Sequence, residues 1–462
     1  MKKQVLSALA FCSALGIAQA QTDVTKEYLV NPSFETLKAA DGATEVAVKT
    51  KLENGLLGWE VADMNDYQVE SEASRSATGF PADGSGKIKP TEGTYYYFNR
   101  VGWSNKDSEL KTTTSKELPA GTYYAVIDYK AADYSNNNNA NNNGTTIGIK
   151  VNGAASDLLG ENPAVRRAYS IANNGSNPGN DAYMVNAAWN ELGTMFTVTE
   201  PTTVTISLVQ NMKNHGRSDI AWDNLRLYQI ENVSENKPMD VSGLITTSNY
   251  YALGGWNIEG GNTFQVNTWS TEGEKDGSGM TTPFIQDHVG KENKAANATI
   301  SHTVNHLIPG IYEVSGLIRV LNEAGGDTPS GATLYANEGS TNACNGNPCT
   351  NGVYGTYTVK GTVGTDGVLT FGIKVANANF NWVSFKNFKL QYLGAASIEQ
   401  LQATLKEKIE EAKAYVENCP KGIAAIVNAA ITQGDNAQPT EESLNAAIAA
   451  LTQAIALAEE TA

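Results

Sequence analysis

Acids and aromatic rings are the residues of this sequence whose placement suggests chemistry. In Ile220–Ile230, IAWDNLRLYQI, alternate positions put Asp223 in phase with Leu225 and Leu227, on the apolar side of an expected strand. An ionised carboxylate aimed at a core is costly unless something compensates it. A near-copy, FKNFKLQYL at Phe385–Leu393, carries Lys386 in that place. The aromatic candidates begin with TYYYFNRVGW, which supplies Tyr96, Arg100 and Trp103. Alternation puts Tyr96 and Phe98 on one face and Tyr95, Tyr97 and Asn99 on the other. Trp103 reads as a loop platform with Arg100 as its polar partner, and Trp189 in NAAWNEL as a second platform. Further on, Trp269 stands in QVNTWST, and Arg319 matches Lys130, both out of phase with the apolar side. Rings flanked by planar polar groups suit a sugar, whose C–H face stacks while its hydroxyls are hydrogen-bonded.

Other chemistries find less support. His302 and His306 fall on an expected strand, where that spacing spans about 13 Å, too far for one metal ion. G-x-S-x-G, P-loop and H-E-x-x-H motifs are absent from the sequence. A glycosidase needs only a carboxylate pair, and a single sequence does not mark one, so the chain is read as non-catalytic. Cys344 and Cys349 bracket NGNP and are expected to form a local disulfide; Cys419 continues an apolar helix stripe as a buried thiol.

The elements that must position these residues are mainly strands. The chain has 462 residues, 43 of them Gly and 20 Tyr, with 18% charged, a profile of strands and polar loops. Residues 1–20, MKKQVLSALAFCSALGIAQA, read as a signal peptide with a mature start at Gln21; Phe11 before Cys12 is too bulky for lipidation. Secretion to the periplasm or cell exterior is therefore expected. No later run is long and apolar enough to cross a membrane as a helix. Removing Lys2 and Lys3 takes the formal charge from −16 to −18. Such a chain repels nucleic acid and anionic lipid, suits neutral ligands, and can collect hard cations.

The chain repeats itself. LPAGTYYAVIDYKAAD from Leu118 parallels IPGIYEVSGLIRVLNE from Ile308, and each unit ends in the Asp223 or Lys386 strand. Two tandem β-sandwiches are predicted, 21–230 and 241–394, joined by a linker at 231–240. Trp59 and Trp256 hold matched places and read as core. An Asn-rich insertion from Asp133 and a segment from Gly160 read as loops. In 395–462, Leu401, Leu405 and Ile409, then Leu444, Ile448, Leu451 and Ile455, step by three and four. Breaks at Pro420 and Gly434 give a bundle of three helices.

At LVNPSFE with its following GW, and at AWDNLRL, the first unit resembles the galactose-binding-like jelly-roll carbohydrate-binding modules over Tyr28–Ile230, with a weaker echo over Val241–Leu393. The tail resembles the FIVAR-type three-helix modules of secreted bacterial glycan-processing proteins. The first resemblance implies a structural Ca²⁺ where the opening Glu35 meets the closing Asp223; calcium takes about six to eight oxygens. Aligning Asn249 with Asn31 puts Leu253 where Glu35 stood and Lys386 where Asp223 stood, so both acids vanish together. The other use open to Asp223 is to cap a turn. The resulting expectation is a secreted, non-catalytic protein that binds polysaccharide, with secreted proteins as possible partners of the bundle. A structural or adhesive protein and a divergent glycoside hydrolase are the alternatives.

Overall fold

A computed structural model describes residues 21–62, 66–72, 89–101, 108–133, 145–153, 160–166, 189–211, 218–246, 255–261, 264–267, 284–325, 328–343, 352–459 and 461. The expected signal peptide, Trp103, Leu253, Trp269, Cys344, Cys349 and the Asn run lie outside these residues.

The first unit contains β1 (Gln21–Asp23), a short helix α1 (Thr25–Tyr28), β2 (Glu60–Ala62), β3 (Asp66–Ser71), β4 (Tyr95–Val101), β5 (Ser108–Thr113), β6 (Gly121–Asp133), β7 (Thr145–Gly153), β8 (Gly160–Arg166), β9 (Asn190–Val198), β10 (Val204–Asn211) and β11 (Ser218–Ile230). The second contains β12 (Met239–Asp240), a 3₁₀ turn (Ser242–Leu244), β13 (Trp256–Gly260), β14 (Phe264–Asn267), β15 (Phe284–His288), β16 (Ala298–Val304), β17 (Gly310–Leu321), β18 (Ala332–Ala336), β19 (Gly339–Ala343), β20 (Gly355–Val363), β21 (Leu369–Val375) and β22 (Trp382–Tyr392).

In the first unit the sheet β3-β4-β11-β6-β9 faces β2-β5-β10-β7-β8, and in the second β14-β15-β22-β17-β20 faces β13-β16-β21-β18-β19. The orders correspond strand for strand. Within each, β4-β11-β6-β9 over β5-β10-β7-β8, and its counterpart, follow the eight-strand double Greek key of a jelly roll. Apolar residues from both sheets fill the space between them, among them Tyr97, Ile127 and Trp222 against Leu110, Ile149 and Ile206. Trp59 and Trp256 are buried in the two cores. Gly160–Arg166, expected as loop, pairs with β7 as a sheet edge, the place in a sheet where a proline such as Pro163 is tolerated.

The last strand of each unit departs from plain alternation. Ile220, Trp222, Leu225 and Leu227 all belong to the core, which an unbroken strand cannot achieve. The register slips between Asp223 and Arg226, where Asn224 takes a left-handed φ of 54°. This β-bulge inverts the phase. Asp223 therefore points not into the core but onto the outer face of its sheet, beside Asp128. In β22 the same slip occurs opposite Ser315–Leu317, with Asn387 at φ 55°, and Lys386 shares Asp223's position.

The two units share one apolar cluster. Tyr124 and Val126, on the outer face of β6, are covered by Met239, Val241, Leu244 and Ile245. A Cβ at Gly193 or Gly243 would lie 2.5 or 2.6 Å from Tyr124, so both glycines are required by this contact. Met239 and Asp240, expected as linker, pair with β22.

The tail folds as α2 (Ile398–Val416), α3 (Lys421–Asp435) and α4 (Glu441–Glu459), with the predicted apolar stripes buried together. Ser397 and Gln400 form a reciprocal cap on α2. Gly434 does not break α3; its missing side chain admits Ile409 of α2, which a Cβ would approach to 3.0 Å. Cys419 is half-buried against the bundle core. The bundle docks on the second sandwich, where the Thr404 hydroxyl donates to Thr362 at 3.1 Å.

Asn387 is exposed, so its backbone angle is its main constraint. Asn387→Gly is expected to leave stability nearly unchanged. Asn387→Val is expected to cost about 1–2 kcal/mol for the left-handed angle. Urea denaturation of the two variants checks this.

Candidate functional site

The opening NPSFE element and the closing strand meet on one turn. Asn31, at φ 55°, holds the opening loop: its Oδ1 accepts the Thr36 N–H at 2.7 Å and its carbonyl accepts Trp59 Nε1 at 2.8 Å. That fold drives Phe34 into the core, 4.8 Å from Trp59 and 5.4 Å from Tyr97 between ring centroids. Glu35 is left outside, where its Oε1 accepts the N–H groups of Thr94 at 2.9 Å and Tyr95 at 2.8 Å. From the other side Asp223 Oδ2 accepts the Thr91 N–H at 2.7 Å, the Thr91 hydroxyl at 2.9 Å and the Glu92 N–H at 3.1 Å. Gly93 lies between them at φ 63°, where a Cβ would fall 2.3 Å from the Glu35 carboxyl carbon. The two acids thus share the 91–95 turn that feeds β4, and Asp223 serves as a turn cap.

The cap leaves one atom over. Asp223 Oδ1 is buried without a hydrogen-bond partner, and burial pushes the carboxyl up to about 7, against the lowering pull of Glu92 and Thr91. A proton satisfies that oxygen, and so does a cation; an orphaned buried carboxylate oxygen, on a turn whose far side Glu35 holds, fits the hard-ion chemistry of calcium. Among the described residues no group of three His, Cys, Asp or Glu is assembled for a metal, so further ligands must come from carbonyl oxygens or water. His302 and His306 form no metal pair either. His302 is buried against Trp256 and Phe371, donates its Nδ1–H to Gly255 O at 2.8 Å, accepts the Thr246 hydroxyl at Nε2, and is depressed to about 4 by burial.

Beside the bulge, Asp128 accepts from Asn224 Nδ2 at 3.0 Å and pairs with Arg226, which also reaches Glu191 at 3.1 Å. Burial raises the Glu191 carboxyl in spite of Arg226.

The same outer face carries a shelf of rings. Tyr96 is fully buried and meets Trp189 edge to face, with centroids 6.1 Å apart at 74°. Trp189 is half-buried, its Nε1 donates to Lys89 O at 2.8 Å, and Lys130 Nζ stands 5.8 Å from its ring centre. The second unit repeats the geometry. Tyr354 precedes β20 as Trp189 precedes β9, and it meets Phe284 at 6.4 Å and 73°. Register matches Phe284 to Tyr96. There the cation over the ring comes from the bulge strand, with Lys386 Nζ 4.8 Å from the Tyr354 centre.

Of the sequence candidates, Tyr96, Trp189, Glu35 and Asp223 thus fall on or beside one face. Arg100 is described by its backbone, opposite Asp219. Arg319 lies on the equivalent face of the second unit. Its Nε donates to Gly352 O at 2.7 Å, and its guanidinium lies 4.5 Å from the Trp382 ring. His288 stacks on the same indole at 4.3 Å and 26° and pairs with Glu323 at 3.0 Å. Sequence reasoning passed over Trp382, Tyr354 and His288. Trp382 was accessible to it, since it is out of phase with Val383 and Phe385.

No protein-family model and no curated protein matches the chain. Solved structures share low similarity with it. An apo cyclase from Fischerella sp. is 13% identical over 46% of this chain and 98% of its own, with a TM-score of 0.28. A CBM61 module in complex with β-1,4-galactotriose is 14% identical over 44% and 97%, at 0.25. The CBM22-1–CBM22-2 tandem of Xyn10C from Paenibacillus barcinonensis is 9% identical over 81% and 99%, at 0.24. Likenesses this distant carry no argument about what the protein does.

The Asp223 environment has a pH signature. Burial pushes the Asp223 carboxyl up to about 7 in the folded chain, from the 3.8 of an ordinary aspartate. Between those values the folded state holds a proton that the unfolded state has released, so in the absence of a bound cation stability falls as pH rises, and levels off above about 7. The loss amounts to a few kcal/mol in order of magnitude. Denaturant titrations across this window are expected to show the slope in the unsubstituted chain and a flatter profile in Asp223→Asn.

Proposed function

We propose that this is a secreted, non-catalytic glycan-binding protein whose two jelly rolls each offer the outer face of one sheet to a sugar. The observation that carries the reading is the recurrence of a ring pair at corresponding places, Tyr96–Trp189 and Phe284–Tyr354, each with a cation over the half-buried ring, Lys130 from β6 in the first unit and Lys386 from the bulge strand in the second. A half-buried ring backed by a second ring is a rigid apolar platform, and the charged and amide groups around it address hydroxyls. The acids nearest the shelf are engaged in holding the bulge and the 91–95 turn, which supports binding over hydrolysis. Export rests on the leader-like residues 1–20. A Ca²⁺ ion at Asp223 and Glu35 belongs to the proposal as a structural ion; its part would be to keep Asp223 ionised and the turn into β4 fixed, leaving the half-buried Trp189, backed by buried Lys130, to contact sugar.

A glycan array probed with the full chain tests the main reading. Bound glycans are expected, and Trp189→Ala should weaken those held by the first unit by about 2 kcal/mol with the fold intact. An array without any bound glycan rejects it. The ion is tested separately by thermal melts at pH 7. Millimolar calcium should raise the melting temperature of the unsubstituted chain, chelator should reverse the rise, and Asp223→Asn should show none. An unsubstituted chain indifferent to calcium rejects the ion.

A further inference from the structure

We propose that the second sandwich takes an anionic glycan, one bearing carboxylate or sulfate groups, while the first takes a neutral one. This rests on the reading that the outer faces bind glycans, and it names the ligand class of the second.

The two faces superpose by register, so their charges compare position by position. In the first unit Asp223 lies opposite Asp128, Asp128 opposite Glu191, and Glu70 opposite Tyr96. In the second, Lys386 lies opposite Leu317, Leu317 opposite Thr356, and Asn267 opposite Phe284. Four carboxylates, Glu70, Asp128, Glu191 and Asp223, thereby become Asn267, Leu317, Thr356 and Lys386. Two of the cationic positions are kept, and Arg100 becomes His288. Lys130 becomes Arg319 and Arg226 becomes Lys389. The balance of the face shifts toward positive, because the losses of acid and the gain of Lys386 outweigh the changes of Arg100 to His288 and of Tyr124 to Glu313, within a chain whose formal charge is −16. Drift in so acidic a protein would be expected to leave acids behind.

The acids described near this face do not reverse the sign. Glu323 is engaged with His288 at 3.0 Å and with Asn381 at 2.6 Å. Glu313 lies further along β17, and Asp287 turns to the core side opposite Val383. The approach to the face is formed by half-buried Tyr354 and Trp382 and by exposed His288 and Lys389, with Arg319 and Lys386 beneath them. Rings above buried cations suit a sugar that carries charge, because stacking and Coulomb attraction act on the same residue of the glycan. Such attraction opposes the net repulsion between an acidic chain and a polyanion, so binding of this kind requires a local site.

The test is affinity electrophoresis of the full chain through gels containing polygalacturonate, dextran sulfate or neutral polysaccharide. Retardation by an acidic polymer is expected, decreasing with salt. Lys389→Glu, an exposed substitution that spares the core, should weaken it about tenfold or more, and Lys386→Asp should do the same. Lys374→Glu, the same charge change on the opposite sheet, should leave it unaltered. Retardation by polygalacturonate alone identifies carboxylates, by dextran sulfate alone sulfate esters, and by both a general anion site. If Lys386→Asp fails to fold, Lys389→Glu decides. Neutral glycans bound but neither acidic polymer retarded overturns the inference and leaves the glycan reading standing. Acidic retardation that Lys389→Glu leaves unchanged also overturns it. Failure of every glycan, neutral or acidic, removes the underlying reading instead.

Discussion

One asparagine in a left-handed conformation governs each sandwich. At Asn224 and Asn387 the last strand gains a residue, and the side chain just before the gain moves from the core to the outer face. Asparagine accepts this angle more readily than most residues because its short amide bonds locally. In the first unit the shifted backbone also donates, Leu225 N–H to Pro32 O at 3.2 Å, which ties the closing strand to the opening loop. Burying Asp223 is costly, and the three donors of the 91–92 turn offset the cost at one oxygen only. The turn is thereby held from Asp223 on one side and Glu35 on the other, and β4 enters the sheet with Tyr96 facing outward beneath Trp189.

With the bulge retained, the residue before it is free to set the character of the face. Aspartate turns toward the turn that leads into β4. Lysine lies over Tyr354 and makes the face cationic. The far end of each face differs as well. Tyr124 and Val126 in the first unit correspond by register to Glu313 and Ser315 in the second. The apolar pair is covered by residues 239–245 of the next sandwich, whereas the polar pair asks for no such cover. One unit is shaped to receive a successor and the other to end the pairing, with the bundle docked elsewhere through Thr404.

Much of this was legible in the residues. The repeat, the two sandwiches, the buried Trp59 and Trp256 and the helical stripes follow from alternation and periodicity, which record burial directly. The resemblance of the NPSFE and AWDNL elements singled out Glu35 and Asp223 together, and the structure has them holding opposite sides of the 91–95 turn. What alternation misread was Asp223 itself. A bulge adds one residue without a compositional mark beyond the asparagine, so counting through it assigns the wrong face. The outer-face apolar residues Tyr124 and Val126 looked like one strand's ordinary mixture, because a second buried face depends on a partner that local sequence does not reveal. The shelf in the second unit was missed for a related reason. Tyr354 lies just outside its strand, where periodicity has no hold, and Lys386 looked like a lost ligand rather than a group above a ring.

The account's central claim is that sugar is held on these outer faces. Its most direct test is a crystal structure of the full chain with an oligosaccharide taken from a positive array. The account predicts a sugar ring stacked on Trp189 or against the Tyr354–Trp382 edge. A sugar seated instead between the two sandwiches, on the β2 or β13 sheets, or on the bundle would contradict it.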